Sequence, residues 1–342
     1  IILTSQSNNI SIAALKLILY IVCLLCIIGT LAPLSDNRFW LIRTQSNIKA
    51  YYLALNVILL LVMLLWHKNS VFELGIILLL GVSIVKCVIA IYPYTSIAPK
   101  SVPSVVNADR YRQLSIIVYN VLQKNDKYQK FLDLVSIVDP DIILALEVND
   151  KWYNNLDSLK SSHPHIVKET RDNTYGIAMY SKIPYQSAEV NHMVKDDIPS
   201  VEAIIDFHGD MIRLTGVHPE PPIPGEVLTS GPKDLELLRI ARHINDNQSS
   251  DYDIVIGDLN DVGWSKNSTA FKEISGLRDP REGRGFYPTF PTYLPIRIPL
   301  DQVFCSQGLS LVKFETLKNI GSDHFPISVI FQTEKDSVTK DK

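Results

Sequence analysis

The sequence predicts N-terminal transmembrane helices followed by an α/β (α+β) four-layer sandwich, with two packed, mixed, mostly antiparallel β-sheets flanked by helices. Three observations carry this. The first ~95 residues hold three long apolar runs. The remainder shows many short strand patterns with few intervening helical ones, which favours two packed sheets over a simple parallel sheet. Polar residues of chemically useful types recur at the mouths of those strands.

The apolar runs are 12–31, 50–66 and 74–92. Each is close to the ~20 residues needed to cross a hydrocarbon core. Trp40, Tyr51, Tyr52, Trp66, Tyr92 and Tyr94 lie near their ends, where amphipathic rings favour the interface. Soluble core helices seldom lack a polar stripe, and a signal peptide accounts for one run, not three. The lipid bilayer is thus one expected partner. Lys86 lies two turns from Tyr92 and reads as snorkelling. Arg38, Arg43 and Lys49 flank one side, as do Lys100, Arg110 and Arg112 after the third run; Lys68 lies on the other. This count favours a cytoplasmic globular domain on an integral multi-pass membrane protein.

Of 342 residues 46% are hydrophobic, and the formal net charge is −3. Residues 1–112 hold nine Lys/Arg and three Asp/Glu, so residues 113–342 carry 24 basic against 33 acidic groups, net −9. That argues against a broad basic groove for nucleic acid and leaves a local one open. Cys23, Cys26 and Cys87 lie in apolar runs and only Cys305 in the globular part, so no disulfide can form within it.

Residues 94–112, with Pro99 and Pro103 among serines, read as a linker. Strands are predicted at "LSIIVYNV", "DIILALEV", "GIAMYS", "VEAIIDF", "MIRLTGVH", "YDIVIGDL", "LDQVFCS" and "FPISVIF". Helical spacing marks "KYQKFLDLVSIV" and Lys233 to Asn247. The last residues, 333–342, read as a charged tail.

Asn120 ends the first strand and Glu147 the second. His218 ends "IRLTGV", Asp258 and Asn260 end "DIVIG", Asp301 opens "VFCS", and Asp323 and His324 precede "FPISVIF". A lone Asp-Leu-Asn is most often a turn. Seven or eight such groups at strand mouths can converge in one cleft. Asp258 and Asn260 are expected to share a side because strand residues two apart do, with Leu259 turned to the core. Carboxylates such as Glu147 and Asp323 suit a hard cation such as Mg²⁺. Two histidines and an Asp-x-Asn can supply the charge neutralisation, positioned water and proton acceptor that attack on phosphorus needs. Zinc spacing, a Gly-x-Ser-x-Gly elbow and a phosphate-loop glycine motif are all missing from the sequence.

The motifs "SIIVYNV", "LALEV", "TGVHPEPP", "IGDLND", "IPLDQVF" and "GSDHFPISV", in that order over nearly all of 113–332, resemble the endonuclease/exonuclease/phosphatase (DNase-I-like) superfamily. "HPEPP", "GDLNDVGWS" and "FYPTFP" resemble its bacterial membrane-anchored branch. The resemblance implies a catalytic domain over 113–332 that hydrolyses phosphate esters with Mg²⁺ (Mn²⁺ as a substitute). It implies Glu147 as principal metal ligand, Asp323 nearby and Asn120 supporting the metal or phosphate. Asp258 would orient or deprotonate the attacking water, Asn260 would donate to the phosphate, His324 would be oriented by Asp301, and His218 would stabilise developing charge. The base lies between Asp258 and His324. Nucleic acid is the default substrate; a phospholipid or sphingomyelin-type head group, or a soluble phosphoester cleaved by a phosphatase, stays open, with "PPIPGEVL" as a lipid-facing candidate. No obligate protein partner is implied. Leu259, Leu146 and Gln302 stand where relatives commonly have Phe, Gln and His. Arg171 and Tyr175, in "RDNTYGIAMYS", are candidate substrate contacts. His163, His165, His192, His208 and His243 read as surface or structural. A non-catalytic tethered binding module predicts loss of one of these groups, and none is lost.

Overall fold

The computed structural model describes residues 2–66, 70–222, 228–247 and 249–334. The chain divides into two compact units, Ile1–Tyr92 and Pro93–Lys342. Most of the expected tail and of "PPIPGEVL" falls outside the described residues.

In the first unit α1 (Ile2–Leu31), the short α2 (Trp40–Arg43), α3 (Lys49–Trp66) and α4 (Val71–Ile91) are helical. Three stretches, Ile12–Leu34, Trp40–Trp66 and Val71–Tyr94, are long and apolar enough to cross a membrane. Several of their polar groups face inward and pair. Glu73 is buried and accepts from Lys16 Nζ (3.2 Å) and Tyr20 Oη (2.6 Å). Asn56 donates to Thr30 Oγ1 at 3.0 Å. An unmet buried polar group is costly, so such pairs tie one helix to another.

In the second unit, β1 (Gln113–Asn120), β2 (Ile142–Leu146), β3 (His165–Glu169), β4 (Ile177–Ser181), β10 (Leu309–Thr316) and β11 (Ile327–Thr333) form one sheet, ordered β10-β11-β1-β2-β4-β3. β5 (Tyr185–Asn191), β6 (Ser200–Phe207), β7 (Asp210–Val217), β8 (Tyr252–Asp258) and β9 (Asp301–Cys305) form the other, in chain order. Strand alternation builds the layers. Ile116, Val118, Ile142, Leu144, Ile254 and Ile256 meet in the core between the sheets. Ile117, Tyr119 and Ile143 point the other way, in the cluster with Phe131 and Val135 of α5 (Tyr128–Val138) and Trp152 of α6 (Asp150–Asn155). Val217, Val255 and Phe304 likewise join Leu237 and Ile240 of α7 (Gly231–Asp246) and Phe271 of α8 (Lys266–Ser275). The order helix, sheet, sheet, helix is the four-layer sandwich.

Pairing direction puts the strand mouths at one end. Each sheet holds one parallel pair, β1–β2 and β7–β8. Parallel neighbours end side by side, so Asn120 lies beside Leu146, and Val217 beside Gly257. β9 and β11 run antiparallel to β8 and β1, with Asp258 opposite Asp301 and Val118 opposite Ile327. Their starting ends therefore meet the finishing ends of β8 and β1.

The segment expected as a linker is packed into this unit. Tyr94 and Val102 are buried, and Leu311 exchanges backbone hydrogen bonds with Pro103 and Val105. Tyr94 was expected among the interfacial aromatics; its ring instead meets Trp264 edge-on at 5.3 Å.

Close backbone packing behind β2 requires Gly176. A Cβ there would sit 1.9 Å from the Val148 carbonyl oxygen and 2.7 Å from Arg171 N. Gly176→Ala is therefore expected to lower unfolding free energy by about 1–3 kcal/mol, the usual cost of overpacking. Urea denaturation of the purified chain measures it, and an unchanged midpoint contradicts this packing.

Candidate active site

The site is built around one buried oxygen. Asp258 Oδ2 lies 3.4 Å from His324 Nε2 and 3.8 Å from His218 Nε2, and it accepts from Asn120 Nδ2 at 3.2 Å. The same Asn120 nitrogen donates to Glu147 Oε1 at 3.0 Å. Strand ends of both sheets thus meet at one point. Asp301 Oδ2 lies 2.8 Å from His324 Nδ1, so His324 is held between two carboxylates. Ser322 Oγ donates to the Asn120 carbonyl and accepts from His324 N, which fixes the Ser322–His324 turn to the end of β1. Phe290 packs on the His324 ring with centroids 4.8 Å apart.

Two of the expected residues reach their places by a different backbone route. Asn260 was expected to follow strand alternation, but β8 ends at Asp258 and Asn260 has φ +50°. An Asx turn, Asn260 N to Asp258 Oδ1 at 2.9 Å, sets its direction, while Leu259 is buried in the outer core as expected. Asn260 Nδ2 donates to the Pro219 carbonyl. Glu147 follows β2 with φ +62°. A non-glycine residue held left-handed is strained, and such strain collects at functional sites.

Glu147 is half-buried. Besides Asn120, its Oε2 accepts from Gln123 N at 3.1 Å. Carboxylate oxygens have further lone pairs, and the half-buried Asp323 adds a second carboxylate on the turn that Ser322 ties to β1. An oxygen-only donor set with access to solvent fits a hard divalent cation. Asn120 Oδ1 is engaged by Leu122 N, so its amide steadies Glu147 and Asp258 through nitrogen. Asp258, Asp301 and His324 also lie close enough together to hold an ion. With both imidazole nitrogens turned to carboxylates, that trio is suited to holding a proton.

Electrostatics separates the roles. Burial alone would lower the His324 pKa, but the Asp301 and Asp258 carboxylates outweigh it and raise it to about 10. Burial alone would raise Asp258; the neighbouring His324 and His218, with hydrogen bonds from Asn260 N and Asn120, hold it below the usual carboxylate value. Burial pushes Asp301 up, against the pull of His324. A histidine raised above its free value of about 6.5 contributes stability that is complete below that pH and lost as pH rises towards 10. In metal-free protein, the His324 ring is expected to stay protonated past pH 8.5 in an NMR titration. Asp301→Asn should bring its midpoint down by more than one unit. An unchanged midpoint contradicts the pairing.

Of the two substrate candidates, Tyr175 is buried with its ring 5.6 Å from that of His218. Arg171 is held by Glu169 and by the Asp196 carbonyl rather than by the Asp258 group. His163 and His243 bind the Pro140 carbonyl and Glu202. Several participants carried no sequence signal. Gln123 caps Glu147, Lys233 Nζ binds Asp261 at 2.7 Å and the Asn260 carbonyl at 3.2 Å, and Thr289 Oγ1 accepts from Asp301 N.

Two sheets whose strand ends join carboxylates, histidines and amides in one cleft define a class, the phosphoesterase sandwich. Residues 117–324 match the profile of the "Endonuclease/Exonuclease/phosphatase family", more than half of the chain. The chain belongs to that family, whose members are generally hydrolytic enzymes acting on phosphate esters. Among solved structures, D. rerio TDP2 complexed with single strand DNA product is similar at TM-score 0.56 and 16% identity, covering 65% of this chain and 99% of that one. The endonuclease/exonuclease/phosphatase from Bacteroides vulgatus is similar at TM-score 0.53 and 14% identity, covering 65% and 99%. A conserved protein from Enterococcus faecalis V583 is similar at 0.53 and 13%, covering 65% and 100%. These likenesses show the fold. No curated protein matches the sequence.

Proposed function

We propose that this chain is a membrane-anchored, divalent-metal-dependent phosphoesterase that cleaves a phosphodiester or related phosphate ester by direct attack of water. The observation that carries it is the set of groups around Asp258 Oδ2, with Asn120 linking it to Glu147. Glu147 and Asp323 would hold Mg²⁺ (or Mn²⁺), with Asn120 supporting Glu147. When bound, the cation neutralises phosphoryl charge. Asp258, kept ionised, orients the water and takes its proton. His324, kept cationic by Asp301, faces the phosphoryl oxygens and offers its proton. Asn260 donates to the phosphate, and His218 stabilises charge on the departing oxygen. Preorganised donors of this kind are worth several kcal/mol in a dry site.

The reading is tested by one panel: DNA, RNA, phospholipid and simple mono- and diesters, with Mg²⁺, Mn²⁺ or chelator, beside Asp258→Ala. Metal-dependent turnover that the variant lacks supports it; full activity in the variant overturns it. Nucleic acid is the first substrate to try, since TDP2 of this fold is known with a DNA product. A specific observation favours a phospholipid as the second. Tyr293, Leu294 and Ile296 are exposed on a loop whose Thr292 N binds the Asp323 carbonyl. Exposed apolar and aromatic residues at a site's rim suit a lipid surface.

The positive charge around Arg38, Arg43, Lys49, Lys100, Arg110 and Arg112 supports a cytoplasmic catalytic domain, and the resemblance to the bacterial membrane-anchored branch supports an inner membrane. A phosphatase reporter fused after Lys342, active only outside the cytoplasm, is expected to be silent. An active fusion reverses the topology.

A further inference from the structure

A buried polar chain reaches the catalytic loop from a part of the unit that the phosphoesterase reading does not use. Tyr94 Oη donates to Asp279 Oδ2 at 3.1 Å and accepts from Lys272 Nζ at 3.2 Å. Arg281, fully buried, grips Asp279 through Nε (2.9 Å) and Nη2 (2.6 Å). The same Nη2 donates to Gln302 Oε1 at 2.9 Å. Gln302 Nε2 then donates to the Asp261 carbonyl at 2.6 Å. Arg281 Nη1 also reaches the Asp301 carbonyl at 3.5 Å. The chain therefore ends on the residue after Asn260 and on Asp301 itself.

Tyr94 touches the same loop a second way. A Cβ on Gly263 would lie 2.2 Å from Tyr94 Oη, and the Tyr94 ring packs on Trp264. The loop that turns Asp258 and Asn260 into the cleft is thus gripped from behind at both Asp261 and Gly263–Trp264. Asn260 at φ +50° is held within the loop by its Asx turn to Asp258, and the contacts at Asp261 and Gly263–Trp264 fix the loop that carries it. Gln302 suits this link because its amide accepts from a guanidinium and donates to a carbonyl at once. Burial raises the stakes, because a half-satisfied buried network costs more than an apolar one.

We propose that Tyr94, Arg281 and Gln302 are positioning residues for the reaction, holding the Asp258–Trp264 loop and Asp301 in register through Asp261. The inference rests on the phosphoesterase reading for its kinetic consequence alone. Tyr94 is the second residue of the catalytic unit. The segment read as a linker therefore contributes Tyr94 to the support of the site.

The 342-residue chain in detergent carries the test. Tyr94→Phe keeps the ring and removes the hydroxyl. Gln302→Glu keeps the shape but sets an acceptor against the Asp261 carbonyl. Each is expected to lower kcat on bis(4-nitrophenyl) phosphate about tenfold with KM within about twofold, as small misplacements do. Amide hydrogen exchange should quicken over 259–265 and stay unchanged in β1 and β2. Because the pair acts as one chain, the double variant should match the worse single rather than multiply the losses. Gln302→His, whose neutral ring both donates and accepts, should keep most of the activity. Wild-type exchange in this loop, multiplied losses, or quickened exchange spread evenly over the unit would overturn the proposal. A wild-type protein that turns over none of the esters contradicts the phosphoesterase reading alone, and the exchange measurement still decides the positioning.

Discussion

Asp258→Asn is expected to lower turnover of a phosphodiester by about 10³-fold or more, with substrate binding nearly unchanged. The replacement preserves shape and can still accept one hydrogen bond from Asn260 N. It removes the negative charge that His324 and His218 face at 3.4 and 3.8 Å. It also sets an amide where Asn120 Nδ2 now donates. The variant should fold, because the carboxylate is buried among hydrogen bonds that an amide can partly replace. Melting temperature and kcat measured on the same preparation separate the two effects. A variant that keeps more than a tenth of the activity would remove Asp258 from proton transfer and leave His324 as the base.

Glu147→Gln is expected to weaken Mg²⁺ binding by at least about 100-fold, raising the metal concentration needed for half-maximal rate by the same factor. Glu147 is half-buried at the mouth of β2, gripped by Asn120 Nδ2 and Gln123 N. Its strained backbone, φ +62°, stays in the variant, so the charge is the only large change. Isothermal calorimetry with the metal alone reads the effect without any substrate. Unaltered affinity would move the metal to the Asp258, Asp301 and His324 group.

The two effects are distinguishable because the residues serve different steps. High Mg²⁺ should restore part of the Glu147→Gln rate and none of the Asp258→Asn rate.

The interior of the fold was legible because buried strands declare themselves. β1, β2 and β8 carry nearly continuous apolar runs, since both of their faces are covered. The three strands missed, β3, β5 and β10, are edge strands, whereas the fourth edge, β9, is buried along its length and was legible. Four residues of β5 are exposed along one run, and β10 carries a register shift near Val312. Edge strands bury less and are kept polar against unwanted pairing, so their pattern is weak. α8 was missed because its apolar face is short, though Ser265 as N-cap and a left-handed Gly276 mark its ends.

The site was legible for the same reason as the strands. A polar residue that closes an apolar run stands out, and Asn120, Glu147, His218 and Asp258 all do so. What supports them did not stand out. Tyr94 meets Asp279 across 185 residues of sequence, and no local spacing encodes that contact. Its aromatic character beside an apolar helix fitted an interfacial anchor equally well. Asn260 was expected to follow strand alternation, yet its position depends on an Asx turn that alternation does not contain. Arg171 shows the reverse, a cation beside a strand whose charge is already taken by Glu169.

The central claim is that water, activated at Asp258 with a metal held at Glu147, attacks phosphorus directly. The most direct measurement is hydrolysis of bis(4-nitrophenyl) phosphate by the 342-residue chain in ¹⁸O-enriched water, with Mg²⁺ and with chelator, under single-turnover conditions. One ¹⁸O in each released phosphate monoester, with the reaction stopped by chelator, is the predicted result. Single-turnover product free of ¹⁸O, or the same rate with chelator present, would contradict it.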